Sequence, residues 1–228
     1  MPWGCCITAP RRSKVSKPVI AAALLSLALA LGAVLAFVAP RPIASQAIEW
    51  LEAPRSVPGF RLESEQGAFA NSALSGRWSL VLFGFMHCAD ICPAGLGQMA
   101  RLAGGLPDRI GEAEIAYVFV SVDPGRDTPA DLGRFVRHFD PAFLGVTGDE
   151  AQLTTLARAL GARFKVSADP DDYRVAHSTG FSIIDPDGQF RGRFRADADM
   201  CSVARALTAR FEAEAFQLHS SPTVVAAE

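Results

Sequence analysis

Leu80-Val-Leu-Phe-Gly-Phe-Met-His-Cys88-Ala-Asp-Ile-Cys92-Pro93 is the stretch from which the rest of the chain can be read. Its first four residues are apolar and read as a buried strand. Pro93 suits the first turn of a helix, where a missing N–H leaves nothing unpaired. Two thiols spaced C-x-x-x-C are therefore delivered at a strand–helix junction. Such a pair supports dithiol exchange, soft-metal ligation or a structural disulfide. If the turn between them is helical, residues four apart lie about 40° from one another around the axis, so both sulfurs share a side. A helix N-terminus is expected to lower the pKa of both thiols. Stability alone is a weak reason for a disulfide here, because closing so short a loop removes little unfolded-state entropy.

Working outward, strand and helix periods alternate. Ser79–Phe85 reads as a strand and Pro93–Ala103 as a helix ended by Gly104-Gly105. Glu114–Val122 is the second strong strand. Thr128–Phe139 opens with a Thr N-cap and a Pro at the first helical position. Phe143–Val146 reads as a short strand, and Asp149–Leu160 as an amphipathic helix stopped by Gly161. Gly180–Ile184 and Gln189–Phe194 flank the turn Asp185-Pro-Asp-Gly188 and make a hairpin. Asp199–Phe216 closes the domain as a helix, and 217–228 is expected to be a disordered tail. The pattern is α/β. With a dithiol at the first junction it resembles a thioredoxin-like fold with an inserted β-hairpin, expected over residues 59–216.

The chain has 228 residues, and its first 40 contain Arg11, Arg12, Lys14 and Lys17 but no acidic residue. Residues 1–18 are expected to form a basic cytoplasmic segment. Val19–Ala39 follows, 21 residues with Ser26 as the only polar side chain. At about 1.5 Å per residue this spans about 31 Å, close to a bilayer's hydrocarbon core. The preceding positive charges orient the N-terminus toward the cytoplasm. A cleaved signal peptide ending near Ser45-Gln-Ala47 is the alternative, but its apolar region is usually shorter. Either reading exports the domain. The expected location is a bacterial inner membrane, spanned once, with the C-terminal domain in the periplasm. Residues 40–58, with Pro42, Pro54 and Pro58, read as a linker.

Beyond residue 40 the chain carries 18 basic and 24 acidic side chains. That balance argues against nucleic acid as a partner. Cys5 and Cys6 precede the span and belong to the reducing side. Cys201 falls in the last helix and reads as a small buried hydrophobe. Cys88 and Cys92 enter an oxidising compartment, where a dithiol must be kept reduced or metallated to stay open.

His177, in Val175-Ala-His-Ser-Thr-Gly180, is the candidate third ligand, placed just before the hairpin. An imidazole beside two thiolates suits copper in either oxidation state. The ordinary role of such a histidine is a hydrogen bond to nearby backbone, and position alone does not separate the two. His87 is a rival ligand, although a residue adjacent to a ligand in extended chain tends to point the other way.

Three stretches carry a family resemblance: Phe83–Pro93, Ser121-Val-Asp-Pro-Gly-Arg-Asp-Thr-Pro129, and His177-Ser-Thr-Gly-Phe-Ser-Ile-Ile-Asp-Pro-Asp-Gly188. In order and spacing they resemble the signature blocks of the SCO/SenC family, over roughly residues 55–216. The resemblance implies a membrane-anchored, thioredoxin-like copper protein that helps assemble the CuA centre of cytochrome c oxidase. It implies one copper held by Cys88, Cys92 and His177, with Asp90, Asp123 and Asp127 as supporting acidic positions. It also implies two partners besides the membrane. These are the CuA-bearing oxidase subunit, or another cuproprotein, and a thiol reductant. A thiol:disulfide oxidoreductase acting on a cuproprotein's cysteines uses the same dithiol and is the second reading. A peroxiredoxin-type peroxidase would need Thr-x-x-Cys, which Met86 and Ala89 do not offer. Met86 and Ala89 also depart from the family, which usually has threonine before the His-Cys pair and proline after the first cysteine.

Overall fold

A computed structural model describes residues 47–169 and 172–220. The predicted span Val19–Ala39 and the segment 1–18 before it lie outside the described residues, as does 221–228. Among the described residues no helix is long and apolar enough to cross a membrane. The strands are β1 (Glu49–Ser56), β2 (Arg61–Ser64), β3 (Gly67–Ala70), β4 (Arg77–Gly84), β5 (Arg109–Ile110), β6 (Ala113–Ser121), β7 (Phe143–Thr147), β8 (Phe164–Asp169), β9 (Asp172–His177), β10 (Gly180–Ile184) and β11 (Gln189–Arg195). The helices are α1 (Ile91–Ala103), α2 (Pro129–Arg137), α3 (Glu150–Ala159) and α4 (Met200–Ser220).

Alternation along β4 divides the core. Leu80 and Leu82 point to one face and Val81 and Phe83 to the other, as a period of two requires. The first face is covered by α1, α2 and α4, through Leu96, Met99, Leu102, Leu132, Val136, Val203 and Leu207. The second is covered by α3, through Leu153, Leu156 and Leu160, together with Phe69 and Phe190. Because both faces are buried, β4 and β6 read as continuous apolar runs rather than as alternating ones.

The main sheet has the order β1-β11-β10-β4-β6-β7-β2-β3, with β5 paired to β6. β4, β6 and β7 are parallel, and β10 and β11 are antiparallel to their neighbours. The expected α/β, thioredoxin-like arrangement is present. Thr128 accepts a hydrogen bond from the Asp131 N–H, so the predicted N-cap forms, and Asp149 caps the next helix by accepting from the Gln152 N–H. Gly161 adopts φ +69°, the left-handed stop that lets the chain leave α3.

Four local differences have clear causes. Glu49–Ser56, inside the stretch read as linker, pairs with β11 as an edge strand; its proline, Pro54, and its charges are tolerated because an edge needs only one ladder. The hairpin read over 180–194 is β10–β11 and belongs to the main sheet. The insertion is instead β8–β9, a two-stranded sheet of its own. Cys201 is exposed rather than buried, because Met200, Val203, Ala204 and Leu207 occupy the core face of α4. Finally, α4 runs to Ser220, past the expected boundary at Phe216.

Candidate metal centre

Topology brings the distant residues of the site together. β4 and β6 run in parallel register from Arg77↔Glu114 to Gly84↔Ser121, so their carboxyl ends lie side by side. β10 runs antiparallel to β4, with Phe181 beside Leu82. The residues entering β10 therefore arrive where β4 ends. This is the sheet edge at which open α/β folds place ligands.

From β4 the chain turns through Phe85–Cys88, closed by the Cys88 N–H donating to the Phe85 carbonyl at 3.4 Å. Gly84 is required by close packing. A Cβ there would stand 2.5 Å from the Phe119 ring and 3.1 Å from Cys92 Sγ. Asp90 is the residue before α1, and Cys92 and Pro93 lie in the first turn of that helix. Both cysteines are free thiols. Cys92 is 2% exposed, whereas Cys88 is half-buried at the mouth.

Their electrostatics differ, and in one respect from expectation. Burial pulls the Cys88 pKa up, but the N–H groups of Asp90, Cys92 and Ile91 and the contact with the Cys92 side chain outweigh it, and the result is a lowered pKa. The Cys92 N–H donates to Cys88 Sγ at 3.4 Å. Cys92 is not lowered with it. Burial, reinforced by the neighbouring Cys88 and Asp127 charges, pushes it up to about 12. The helix N-terminus serves the outer sulfur, while the inner one remains a thiol.

His177 is the last residue of β9, and its ring completes the group. Nδ1 lies 2.8 Å from the Ser178 carbonyl. A carbonyl can only accept, so Nδ1 carries the proton and Nε2 presents a lone pair. That Nε2 stands 3.3 Å from Cys92 Sγ. Burial lowers the His177 pKa, against the Ser178 hydrogen bond, and keeps the ring neutral and ready to ligate. Phe85 meets the imidazole edge-on at 5.7 Å between centroids.

The ligand atoms of Cys88, Cys92 and His177 all lie within 4.8 Å of one another. Three such donors in a plane around one ion stand about 3.5–4 Å apart. The set therefore fits a single soft ion with only small adjustment, and its chemistry, two sulfurs and one imidazole nitrogen, selects copper or zinc over hard cations.

The supporting carboxylates are placed unequally. Asp90 is exposed and its side chain caps nothing; only its backbone N–H reaches the site. Asp127 is buried, and its Oδ2 accepts the Met86 N–H at 2.8 Å and the Ser121 hydroxyl at 2.5 Å. Its Oδ1 makes no well-aligned hydrogen bond, and His87 Nδ1 is 3.3 Å away. His87 thus turns toward Asp127 and away from the sulfurs, as its position next to Cys88 implied. Asp123, also buried, accepts from Arg126 and Tyr173. The sequence reading missed Tyr173 and Arg126. The alternation Tyr173-x-Val175-x-His177 is the signal from which β9 could be read.

The sequence profile of SCO1/SenC matches residues 50–212. The chain belongs to the SCO1/SenC family. A relative from Stutzerimonas stutzeri, named for copper binding, is 37% identical over 155 residues, covering 67% of this chain and 76% of its own. Among solved structures, yeast Sco1 with copper bound superposes with a TM-score of 0.63 at 28% identity, over 75% of this chain and 97% of its own. BsSco, described as a member of the Sco family of cytochrome c oxidase assembly proteins, is 20% identical with a TM-score of 0.56, covering 73% of this chain and 98% of its own. At that identity it bears on the fold alone. The Stutzerimonas relative is thus named for copper binding and the yeast structure holds copper, and this chain shares the Sco fold.

Proposed function

We propose that this Sco protein is a membrane-anchored copper chaperone that carries one copper on Cys88, Cys92 and His177 and delivers it to, or prepares, the CuA site of cytochrome c oxidase. The observation that carries the reading is the His177 tautomer. Its Nδ1 proton is committed to the Ser178 carbonyl, and the free Nε2 faces Cys92 Sγ at 3.3 Å. A redox dithiol alone has no need of a neutral, oriented imidazole there.

Copper is cargo in this scheme. The Cys88 sulfur is the one open to a partner, so exchange begins there. The incoming cysteine of the CuA-bearing subunit, or of another cuproprotein, replaces Cys88 before Cys92 and His177 let go. The anchor at Val19–Ala39 would hold the domain at the periplasmic face of a bacterial inner membrane, where that acceptor site is exposed. Titration of the reduced protein with one equivalent of copper, compared with His177→Ala, tests the reading. One copper held tightly by the wild type, and at least about tenfold more weakly by His177→Ala, is the expected result.

The unequal thiols favour a second reading, reduction of the client's cysteines. The Cys88 thiolate attacks a client disulfide and forms a mixed disulfide. Cys92 then gives up its proton and displaces the client sulfur, closing Cys88–Cys92 and releasing a client dithiol. A separate thiol reductant restores the protein. A low-pKa outer cysteine and a buried inner one suit those two roles.

A further inference from the structure

The third donor rides on the β8–β9 hairpin, and the described contacts include one group at its base and one toward its tip. Along β9, Tyr173, Val175 and His177 are half-buried while Arg174 and Ala176 are exposed. Side chains two apart on a strand share a face, so these three look toward the body of the domain. At the base, the Ser178 N–H donates to the Arg163 carbonyl at 2.9 Å, and Phe164 and Val175 pack against the core on the α3 side. Toward the tip, the Tyr173 hydroxyl donates to Asp123 Oδ1 at 2.5 Å.

That distal contact is a built one. Asp123 is fully buried, and its other oxygen accepts from Arg126 Nε at 2.6 Å. The Arg126 guanidinium lies 4.1 Å over the Tyr173 ring. Hydrogen bonds to a buried carboxylate are among the stronger ones in proteins, and a stacked guanidinium adds to this. The loop that supplies Asp123 also supplies Asp127, which accepts the Met86 N–H of the dithiol turn. One short loop, 121–127, therefore grips both the cysteine turn and the histidine hairpin.

We propose that Tyr173 is a positioning residue for the metal centre: its bond to Asp123 latches the hairpin in the direction that aims His177 Nε2 at the two sulfurs. The base fixes where His177 sits, and the latch fixes how β9 is tilted. Nε2 projects about 6 Å from the strand, so a pivot of about 10° displaces it by about 1 Å, several times the tolerance of a metal–ligand distance. The proposal rests on His177 being a copper ligand, and its test separates the two ideas.

In the full chain, Tyr173→Phe keeps the ring beneath Arg126 and removes only the hydroxyl. Amide hydrogen exchange over 164–177, measured without metal, should quicken roughly tenfold. With one equivalent of Cu(II), the thiolate absorption and the nitrogen coupling in the paramagnetic resonance spectrum should move toward those of His177→Ala. Wild-type exchange and a wild-type spectrum in Tyr173→Phe overturn the latch. So does a change seen only in Tyr173→Leu, since ring packing would then be what holds the hairpin. If His177→Ala itself leaves the copper spectrum unchanged, the ligand reading fails, and the exchange rate still decides whether Tyr173 holds the hairpin.

Discussion

Cys92 Sγ stands 3.3 Å from His177 Nε2, although 85 residues separate them in the chain. The register of β10 on β4 sets that distance, since Phe181 beside Leu82 brings the preceding residues to the end of the strand that leads to Cys88. The site is thus a product of sheet topology. Cys92 is the member most buried, and several outcomes follow from that.

Buried Cys92 should make the metal-free protein sensitive to alkali. Its folded pKa is raised from 9.0 to about 12. Between those values the unfolded chain has lost the proton and the folded one keeps it, so unfolding is favoured as pH rises. The contribution is fully present below pH 9 and falls by about 1.4 kcal/mol per pH unit above it. Denaturation midpoints between pH 8 and 11 should show this slope in the wild type and a flatter one in Cys92→Ala.

The two thiols should react in a fixed order. Cys88 is accessible with a lowered pKa, whereas Cys92 is buried with a raised one. Brief iodoacetamide treatment at pH 7 followed by peptide mass analysis should find Cys88 modified first, by about a hundredfold in rate. Equal labelling of both would mean that the inner thiol is open to solvent.

Gly84→Ala should damage the site from below. The new methyl would meet the Phe119 ring at 2.5 Å and Cys92 Sγ at 3.1 Å. Overpacking of this kind costs about 1–3 kcal/mol. Urea unfolding should register that loss, and copper affinity should fall as Cys92 is displaced; a fully stable variant with unchanged affinity would contradict the packing described.

Asp127→Ala should loosen the dithiol turn. It strips the acceptor from the Met86 N–H and the Ser121 hydroxyl. A buried donor left without a partner costs about 1–3 kcal/mol. The expected signs are lower stability and faster amide exchange at Met86, and an unchanged exchange rate there would show that the carboxylate does not hold the turn.

Much of this was legible in the sequence because local chemistry agreed with the fold. Two apolar runs marked β4 and β6, Thr128-Pro129 and Asp149 marked helix starts, and Asp185-Pro-Asp-Gly188 marked the β10–β11 turn. The three signature blocks supplied Cys88, Cys92 and His177. What the sequence concealed depends on contacts made at long range. β1 is an edge strand with three charges and a proline, and only its pairing with β11 makes it a strand. β9 is hard to read from sequence because its alternation is short and half-buried, so the part played by Tyr173 and Arg126 shows only in the structure. The split in thiol pKa needs burial, which spacing does not report.

Copper titration of the reduced full chain against His177→Ala bears most directly on the central claim. The account predicts one tightly held copper in the wild type, with thiolate-to-Cu(II) absorption, and a loss of about tenfold or more in affinity in the variant while Cys88–Cys92 disulfide exchange continues. Equal copper retention by both proteins would contradict it.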